Sequence, residues 1–399
     1  MVTMIKHKVI IWGGDDFNTL GLLRELSKPE IDLFFLIRGK RSYASKSKYC
    51  IKSHTALNLD EGLKFLLDTF SNEPYKPIII TSGDGVITYI DQHRELLEPY
   101  FILPGTSEAG LITRYIDKVT MTELAKRHGF LTPVSCSAKW DADISMVKYP
   151  CIIKPSHEQA GYYNEFKFKI CKKPKKLKRI LGNVRKNSEF IIQQYVEKEL
   201  DLLVYGARLK SGETIFAGAF IRDRWADSGS SSHGYLTDNI PAGANIEGIR
   251  SMLAEIDYYG PFSFEYGLIG DQTYFFEVNF RNDGTSHYFY QAGANIPLAY
   301  VYSCANEDYA TIATTVRAGK QYFIDELFDV ENILHRKLSI SRYRQEKKEA
   351  TIYKYYDAED VAPWEQVRKH RIKQIIQDII LKKYRLYIVR VLEKFGLKK

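Results

Sequence analysis

The sequence predicts a mixed α/β protein in which an N-terminal parallel sheet is followed by α+β regions with antiparallel sheets. Over roughly the first hundred residues, apolar strand-like runs alternate with amphipathic helical runs, the pattern of βαβ units with helices on the faces of a parallel sheet. Further along the chain, residues 262–279 predict two strands joined by a tight turn, which is an antiparallel hairpin. No internal repeat or low-complexity stretch interrupts the pattern.

The N-terminal elements alternate in type along the chain. The predicted strands are KVIIW, IDLFFLI and PIIIT, and the predicted helices are TLGLLRELS, DEGLKFLLDTF and DQHRELLEPY. The first loop, GGDDFN, lacks the GxGxxG spacing, and the second strand ends in Arg38 rather than in the acid that would hold a ribose. The pattern therefore argues against a dinucleotide-binding domain.

The following elements complete the prediction. TRYIDKVTMTELAKRHG predicts one helix ended by Gly129, with Pro133 beyond it. The later predicted strands are CIIK, EFIIQQYV, LDLLVYGARL and ETIFAGAFIR, and CKKPKKLKRILG predicts a basic helix. Residues 223–238, DRWADSGSSSHGYLTD, predict a long loop of small and polar residues, of a kind that tends to be either a functional lid or disordered.

Composition and charge limit the class of protein. The 399 residues are 45% hydrophobic and 27% charged, which is typical of a soluble globular protein of two or three domains. Five cysteines without CxxC spacing predict reduced thiols and a cytoplasmic location. No stretch approaches the roughly 20 apolar residues of a membrane span, and the N-terminal apolar run is too short for a signal peptide.

The net charge of +8 is concentrated in one tail. Residues 366–399 contain 11 Lys or Arg against two acidic residues, so the rest of the chain is close to neutral. A protein-wide nucleic-acid surface is therefore not predicted.

The stretch FSFEYGLIGDQTYFFEVNFRNDG predicts a hairpin with two opposed carboxylates. If residues 270–272 form a three-residue loop, Glu265 lies directly opposite Glu277. Like charges opposite each other across two strands are destabilising. Either this face is solvated and the repulsion is screened, or a cation lies between the carboxylates.

Two further polar residues on the same strand favour the cation. Glu277, Asn279 and Arg281 are two residues apart and therefore point to the same side of the strand. Mg²⁺ prefers oxygen ligands and is typically held by one or two carboxylates together with substrate phosphates. Arg281 can meet a phosphate with two parallel hydrogen bonds. The hairpin therefore predicts a magnesium–nucleotide site.

Four motifs together carry a resemblance to a known family. They are DKVTM, PCIIKP, IIQQYV and FEVNFR, the last preceded by an acid about a dozen residues upstream. In this combination they resemble the ATP-grasp superfamily, and more closely its carboxylate–amine ligase branch, which includes carbamoyl-phosphate-synthase-like and D-aspartate-ligase-like proteins. The similarity covers roughly residues 8–300, and a weaker similarity continues to about residue 365. In place of the glycine-rich flap of many relatives, SHEQAGYYN has one glycine.

The resemblance implies which residues bind ATP and metal. It assigns Mg²⁺, usually two ions and with Mn²⁺ as the alternative metal, to Glu265, Glu277 and Asn279. It assigns the catalytic contacts with the phosphoryl groups to Arg281 and Lys154. The residues it assigns to ATP are Lys118, Lys154, Gln193, Gln194, Tyr195, Val196, Glu199 and Asp201. Glu199 and Asp201 are alternatives for the acid that holds the ribose.

The resemblance also implies a reaction. A carboxylate would be activated as an acyl phosphate and joined to an amine of the amino-acid or amino-sugar type, for example in cell-envelope or polysaccharide biosynthesis. Arg208, Arg222 and Arg224 are candidates for holding an anionic substrate, and each is equally compatible with a surface role. An ATP-dependent phosphotransferase and a non-catalytic ATP-binding regulatory module are the alternative functions.

Four regions and a distinctive tail follow from these assignments. The regions are a pre-ATP-grasp domain over 1–115, a small ATP-grasp subdomain over 116–200, a large subdomain with the metal site over 201–320, and a C-terminal extension over 321–399.

The tail has isoleucines at helical spacing between basic residues. Such a helix either packs on its own domain or lies on an anionic membrane surface. In the second case the protein would act at the inner face of the cell membrane. A homodimer is compatible with the sequence.

Overall fold

The computed structural model of the protein describes residues 4–155, 166, 168–186, 188–226, 229–374 and 377. Its strands are β1 Val9–Gly14, β2 Leu33–Arg38, β3 Ser53–Ala56, β4 Ile78–Thr81, β5 Gly105–Thr106, β6 Ser135–Ala138, β7 Cys151–Pro155, β8 Lys169–Cys171, β9 Phe190–Gln194, β10 Leu200–Arg208, β11 Thr214–Trp225, β12 Ser231–Thr237, β13 Tyr258–Ile269, β14 Gln272–Asn279, β15 Gln321–Ile324 and β16 Ile352–Tyr353.

Twelve α-helices with defined bounds accompany these strands in the described part of the chain. They are α1 Phe17–Leu26, α2 Leu59–Phe70, α3 Asp84–Gln92, α4 Arg94–Leu97, α5 Leu111–Ile116, α6 Lys118–Arg127, α7 Pro174–Leu181, α8 Ile246–Glu255, α9 Ser286–Gln291, α10 Ile296–Cys304, α11 Phe328–Leu334 and α12 Ile340–Glu349. Residues 361–374 form a further helical stretch, α13. None of the described helices is long and apolar enough to cross a membrane.

The N-terminal sheet is parallel, with the strand order β3-β2-β1-β4. β1 is buried along nearly its whole length, because helices cover both faces of such a sheet. β1 and the residue after β4 approach closely, since a Cβ atom on Gly13 would lie only 1.9 Å from Ser82 Oγ. The C-terminal ends of β1 and β4 therefore lie side by side, the place where open parallel sheets bind ligands.

Two sheets of mostly antiparallel strands follow, which confirms the predicted fold class; β15 and β16, at the end of the large sheet, are the one parallel pair among their described strands. The small sheet has the order β6-β9-β7-β8, and its core includes residues of α7. The large sheet has the order β14-β13-β10-β11-β12-β15-β16, and β5 pairs with the start of β13. β15 and β16 thus extend the large sheet, although the sequence assigns them to a C-terminal extension. The bounds of the four predicted regions stay predictions.

Two elements differ from the prediction. The predicted long loop over 223–238 is wrong: β11 continues to Trp225 and β12 begins at Ser231, so most of this polar segment is strand. Its polarity comes from ion pairs at the sheet surface, such as that of Asp223 with His233. The single helix predicted to end at Gly129 is two helices, because Asp117 ends α5 and caps α6, accepting hydrogen bonds from two N–H groups of its first turn.

Candidate active site

The two hairpin carboxylates lie opposite each other, although the turn differs from the prediction. Glu265 of β13 is paired in register with Glu277 of β14. The turn contains two residues rather than three, with Gly270 at a φ of +52°, a conformation that favours glycine. A bulge beside Glu265 shifts the register by one residue and so restores the opposition of the two glutamates.

Glu265 is held by neighbours, whereas Glu277 is not. Arg222 donates to the Glu265 carboxylate at 3.0 Å, and Asn279 Nδ2 donates to it at 3.4 Å. Burial raises the pKa of Glu265, and the charge of Glu277 adds to this rise while Arg222 opposes it. Within the described residues, Glu277 has no hydrogen-bond or ion-pair partner. Its carboxylate is therefore available to a ligand.

Asn279 and Arg281 continue the row of polar groups, and Arg281 connects it to the N-terminal sheet. Arg281 donates from Nε and Nη2 to both carboxylate oxygens of Asp84, at 2.6 and 3.1 Å. Its Nη2 also donates to Asn279 Oδ1 at 3.2 Å. Burial lowers the pKa of Arg281, but the charge and hydrogen bonds of Asp84, together with the charges of Asp283 and Glu265, outweigh burial and raise it. The guanidinium is thus permanently charged and fixed in orientation.

Two lysines from different elements meet near the carboxylates. Lys154 lies on β7 of the small sheet, and Lys118 is the first residue of α6. The pKa of Lys154 is lowered to about 8, chiefly by burial and also by the positive charge of Lys118, while the charge of Glu277 opposes this. Neither ammonium group has a hydrogen-bond or ion-pair partner among the described residues. The structure thus brings both predicted phosphate lysines to one place.

The predicted adenine segment forms the end of β9 and the residues after it. Gln193 is buried in the small sheet. The backbone N–H groups of Gln194 and Tyr195 donate to carbonyls of neighbouring segments. The N–H of Val196, the next residue, has no acceptor in the described part of the chain. Val196 is therefore the residue of this segment whose N–H is free for a ligand.

The two candidate ribose acids differ in their surroundings. Asp201 is buried and bonded to Lys198 and to the indole of Trp225, the latter at 2.6 Å. The exposed carboxylate of Glu199 accepts one long hydrogen bond of 3.4 Å, from the N–H of Gly270. Asp201 is thus occupied by protein groups, while Glu199 retains most of its acceptor capacity.

The three predicted substrate arginines lie in three different places. Arg222 contacts Glu265 and so belongs to the site. Arg224 donates two hydrogen bonds to Asp329 of α11, at 2.9 and 2.6 Å, and thereby ties β11 to the C-terminal region. Arg208 lies at the other end of β10, where it pairs with an aspartate after α8 at 3.6 Å. The structure therefore brings only Arg222 to the carboxylates.

Sequence reasoning missed a third carboxylate beside the site. Asp283 is buried, accepts a 2.9 Å hydrogen bond from Ser263 Oγ, and lies 3.5 Å from Asn279 Nδ2. It lies beyond the end of β14 at Asn279, as Arg281 does. Its position two residues after Arg281, at the spacing that relates Glu277, Asn279 and Arg281, was the available signal.

Sequence reasoning also missed the residue that joins the hairpin to the N-terminal sheet. The buried Asn282 accepts a 2.5 Å hydrogen bond from Tyr205 OH and exchanges hydrogen bonds with Asn18 of α1. Its backbone N–H donates to Thr81, the last residue of β4, at 3.2 Å. These bonds hold the row of polar groups against the C-terminal ends of the parallel strands.

The donor set fits magnesium bound together with a phosphate-bearing ligand. No group of three or more His, Cys, Asp or Glu side chains within the described ranges is placed to hold a metal by itself. Two carboxylates and an amide oxygen are an incomplete shell for Mg²⁺, which usually completes its coordination with substrate phosphates and water. The ammonium groups of Lys118 and Lys154 supply positive charge beside this donor set.

Comparisons with known proteins agree with this fold. No family model matches the chain. A D-aspartate ligase of Enterococcus faecium (strain Aus0004) is 21% identical over 257 residues, 60% of this chain and 61% of that protein. The match thus spans about three fifths of the length of that curated relative.

Solved structures give a broader match. The L-amino acid ligase from Bacillus licheniformis has a TM-score of 0.59 at 13% identity, over 75% of this chain and 74% of that one. The N5-carboxyaminoimidazole synthetase from Staphylococcus aureus in complex with ADP has a TM-score of 0.63 at 14% identity, over 84% of this chain and 88% of that one. The predicted ATP-grasp fold is therefore confirmed.

Proposed function

We propose that the protein is an ATP- and Mg²⁺-dependent ligase that activates a carboxylate as an acyl phosphate and joins it to an amine. One observation carries this proposal: two glutamates oppose each other across a hairpin, and two lysines without carboxylate partners meet beside them. Each pair is unfavourable alone because like charges repel. A magnesium polyphosphate would relieve both, since the metal neutralises the carboxylates and the phosphates neutralise the lysines.

ATP would occupy the cleft between the small and large sheets. Lys118 and Lys154 would contact its phosphates as point charges. The Val196 N–H would donate to the adenine edge. Glu199, rather than the occupied Asp201, would accept the ribose hydroxyls.

Glu265, Glu277 and Asn279 would hold Mg²⁺, or Mn²⁺ in its place. The bound metal would neutralise charge on the phosphate oxygens and orient the phosphate chain. Arg222 would maintain the charge balance of Glu265 when the metal is released, because its guanidinium already donates to that carboxylate.

The reaction would proceed in two displacements. A carboxylate oxygen of the first substrate attacks the γ-phosphorus, the bond from that phosphorus to the β–γ bridging oxygen breaks, and ADP leaves. The amine nitrogen of the second substrate then attacks the acyl carbon, the carbon–oxygen bond breaks with loss of inorganic phosphate, and the nitrogen releases a proton to give an amide. Arg281 stabilises the transferred phosphoryl group through charge-assisted hydrogen bonds.

The substrates would lie between the hairpin and the C-terminal ends of β1 and β4. Arg281 reaches across this gap to Asp84, so groups from both domains line it. Because structural relatives include an L-amino acid ligase and the curated match is a D-aspartate ligase, amino acids are the first substrates to test. Amino sugars of cell-envelope or polysaccharide biosynthesis are the second.

One assay separates this proposal from the two alternatives. The protein is incubated with Mg-ATP and with pools of carboxylates and amines, and both ADP and product mass are measured. A ligase turns over ATP to ADP continuously only with both substrates, and it gives a product lighter than their sum by one water. A phosphotransferase phosphorylates a single hydroxyl acceptor, and a regulatory module binds ATP without turnover.

We also propose that the basic tail contacts anionic membranes. The structure does not describe residues 375–376 and 378–399. Four isoleucines of the predicted stripe therefore lie outside the described residues: Ile375, Ile376, Ile379 and Ile380. Before them, Arg371 of α13 pairs with Glu331 of α11, so α13 is anchored on the protein. Co-sedimentation with anionic vesicles should detect the full chain and not a chain ending at Trp364. Equal, negligible binding of both at physiological salt contradicts the proposal.

A further inference from the structure

We propose a second binding site, for a small phosphate- or carboxylate-bearing molecule, in a cavity between α4, β5 and the start of β13. The cavity has a volume of about 350 Å³. Its distinguishing residue is Arg94, which is only 6% exposed and lines the cavity wall. This proposal does not depend on the ligase activity proposed above.

Arg94 is a buried guanidinium that has no carboxylate partner among the described residues. Its Nη2 donates to the Pro104 carbonyl at 2.6 Å, while its buried Nε has no hydrogen-bond partner in the described structure. Burial lowers the pKa of Arg94, although Glu98 and Asp91 oppose this at longer range. Buried charges in proteins are normally paired, because an unpaired one loses its hydration without compensation.

Other well-covered arginines of the described chain all have carboxylate partners. Within 4.0 Å of a carboxylate oxygen lie Arg24, Arg208, Arg222, Arg224 and Arg281. Arg94 departs from this pattern at a cavity wall, where an anion from solution can supply the missing partner. Gly105 lets it approach, since a Cβ there would lie 2.9 Å from Arg94 Nη2.

The rest of the lining supports an anionic ligand with an apolar part. Lys76 and Lys210 add two positive charges, against the single carboxylate of Glu98. The hydroxyl-bearing and apolar lining residues are Thr106, Ser107, Phe101, Ile102, Leu103 and Tyr259. A phosphate or carboxylate at the arginine and a short hydrocarbon against the aromatic wall would satisfy both kinds of surface.

The cavity is separate from the candidate active site. It lies where Gly105 pairs with Tyr259 near the start of β13, six residues before Glu265 on the same strand. At about 3.4 Å per residue, the two places are about 20 Å apart. Lys76 precedes β4, so the cavity is at the N-terminal edge of the parallel sheet, opposite the edge that bears Asp84. A ligand here leaves the ATP cleft open.

Calorimetric titrations with inorganic phosphate and with succinate test the proposal and distinguish the two anion types. They use the wild type, Lys76→Ala/Lys210→Ala, Arg94→Lys, and Lys118→Ala/Lys154→Ala, which removes the phosphate lysines of the active site. The Lys118→Ala/Lys154→Ala protein should bind at least one anion saturably. Adding Lys76→Ala/Lys210→Ala to it should weaken that binding at least tenfold, because two positive charges at the cavity are lost. Both lysines are exposed, so their replacement leaves the hydrophobic core unchanged.

A matched control removes two other exposed lysines, Lys64 and Lys175, and should leave the affinity unchanged. If the Arg94→Lys protein does not fold, the anion affinities measured with and without Lys76→Ala/Lys210→Ala still test the proposed site. The proposal is overturned if neither anion binds once Lys118 and Lys154 are replaced. It is equally overturned if Lys76→Ala/Lys210→Ala and the control weaken binding to the same extent.

Discussion

Arg281 and Asp84 form a two-point ion pair that joins the β13–β14 hairpin to the N-terminal sheet, with contacts of 2.6 and 3.1 Å. Asp84 is the first residue of α3, directly after the turn that follows β4. The guanidinium expected to meet the transferred phosphoryl group is therefore oriented by a residue beside the C-terminal end of β4. Asp84 would contact one side of the Arg281 guanidinium while a phosphate contacts another side.

The first prediction concerns this pair. Arg281→Lys keeps the charge but loses the planar fork, so kcat should fall on the order of 10²-fold while the KM for ATP changes less, because one directed contact to the developing charge is lost. Asp84→Asn, which leaves Arg281 in place, should have a smaller effect. Steady-state kinetics of both variants check this. Equal activity of Arg281→Lys and wild type would remove Arg281 from the mechanism.

The second prediction concerns the opposed carboxylates. Glu277→Gln should abolish turnover, because a metal ligand is lost, and should not lower the melting temperature, because like-charge repulsion is also lost. Turnover and thermal unfolding without metal measure the two effects. Asp271→Asn, on the exposed turn of the same hairpin, is the matched control and should stay active. Retained turnover in Glu277→Gln would argue against the metal site.

The third prediction concerns the phosphate lysines. Lys118→Ala and Lys154→Ala should each weaken ATP binding by about 1.5–3 kcal/mol, the usual contribution of a hydrogen bond to a charged group. Calorimetry with a non-hydrolysable ATP analogue measures the change. Lys169→Ala, on the exposed edge strand of the same small sheet, should bind like the wild type. Unchanged affinity in both active-site variants is the contrary result.

The fourth prediction is a pH dependence. The pKa of Lys154 in the free protein is about 8, and bound phosphate would raise it, so binding takes up a proton and ATP affinity falls as pH rises through 8. Between about pH 7 and about pH 9 the affinity should fall about tenfold if only the ammonium form binds. Binding measured across this range checks the slope. Lys154→Arg, which stays charged, should flatten it, and a wild-type affinity independent of pH would contradict it.

Local sequence patterns predicted the elements that carry the site better than their connections. The opposition of Glu265 and Glu277 was predicted from a three-residue turn, and the structure reaches it with a two-residue turn and a bulge. These two differences cancel in the register. A bulge leaves no periodic signal, because it adds one residue to a strand that is otherwise continuous.

Contacts between distant segments could not be predicted from local patterns. Arg222 and Arg224 look equivalent in sequence, yet one contacts Glu265 and the other Asp329, because a register shift between them turns the strand. Asp84 pairs with a residue 197 positions away. Only the packing of the sheets against each other determines such partners, and no periodicity within a single strand or helix encodes them.

The most direct test of the ligase proposal follows the oxygen atoms of the carboxylate substrate. The carboxylate found in the pooled assay is labelled with ¹⁸O in its carboxyl group and incubated with Mg-ATP and its amine, and the inorganic phosphate is analysed by mass spectrometry. An acyl-phosphate route must transfer one carboxyl oxygen to each phosphate released. We therefore expect phosphate carrying one ¹⁸O per amide formed. Amide formation with unlabelled phosphate would contradict carboxylate activation by ATP at this site.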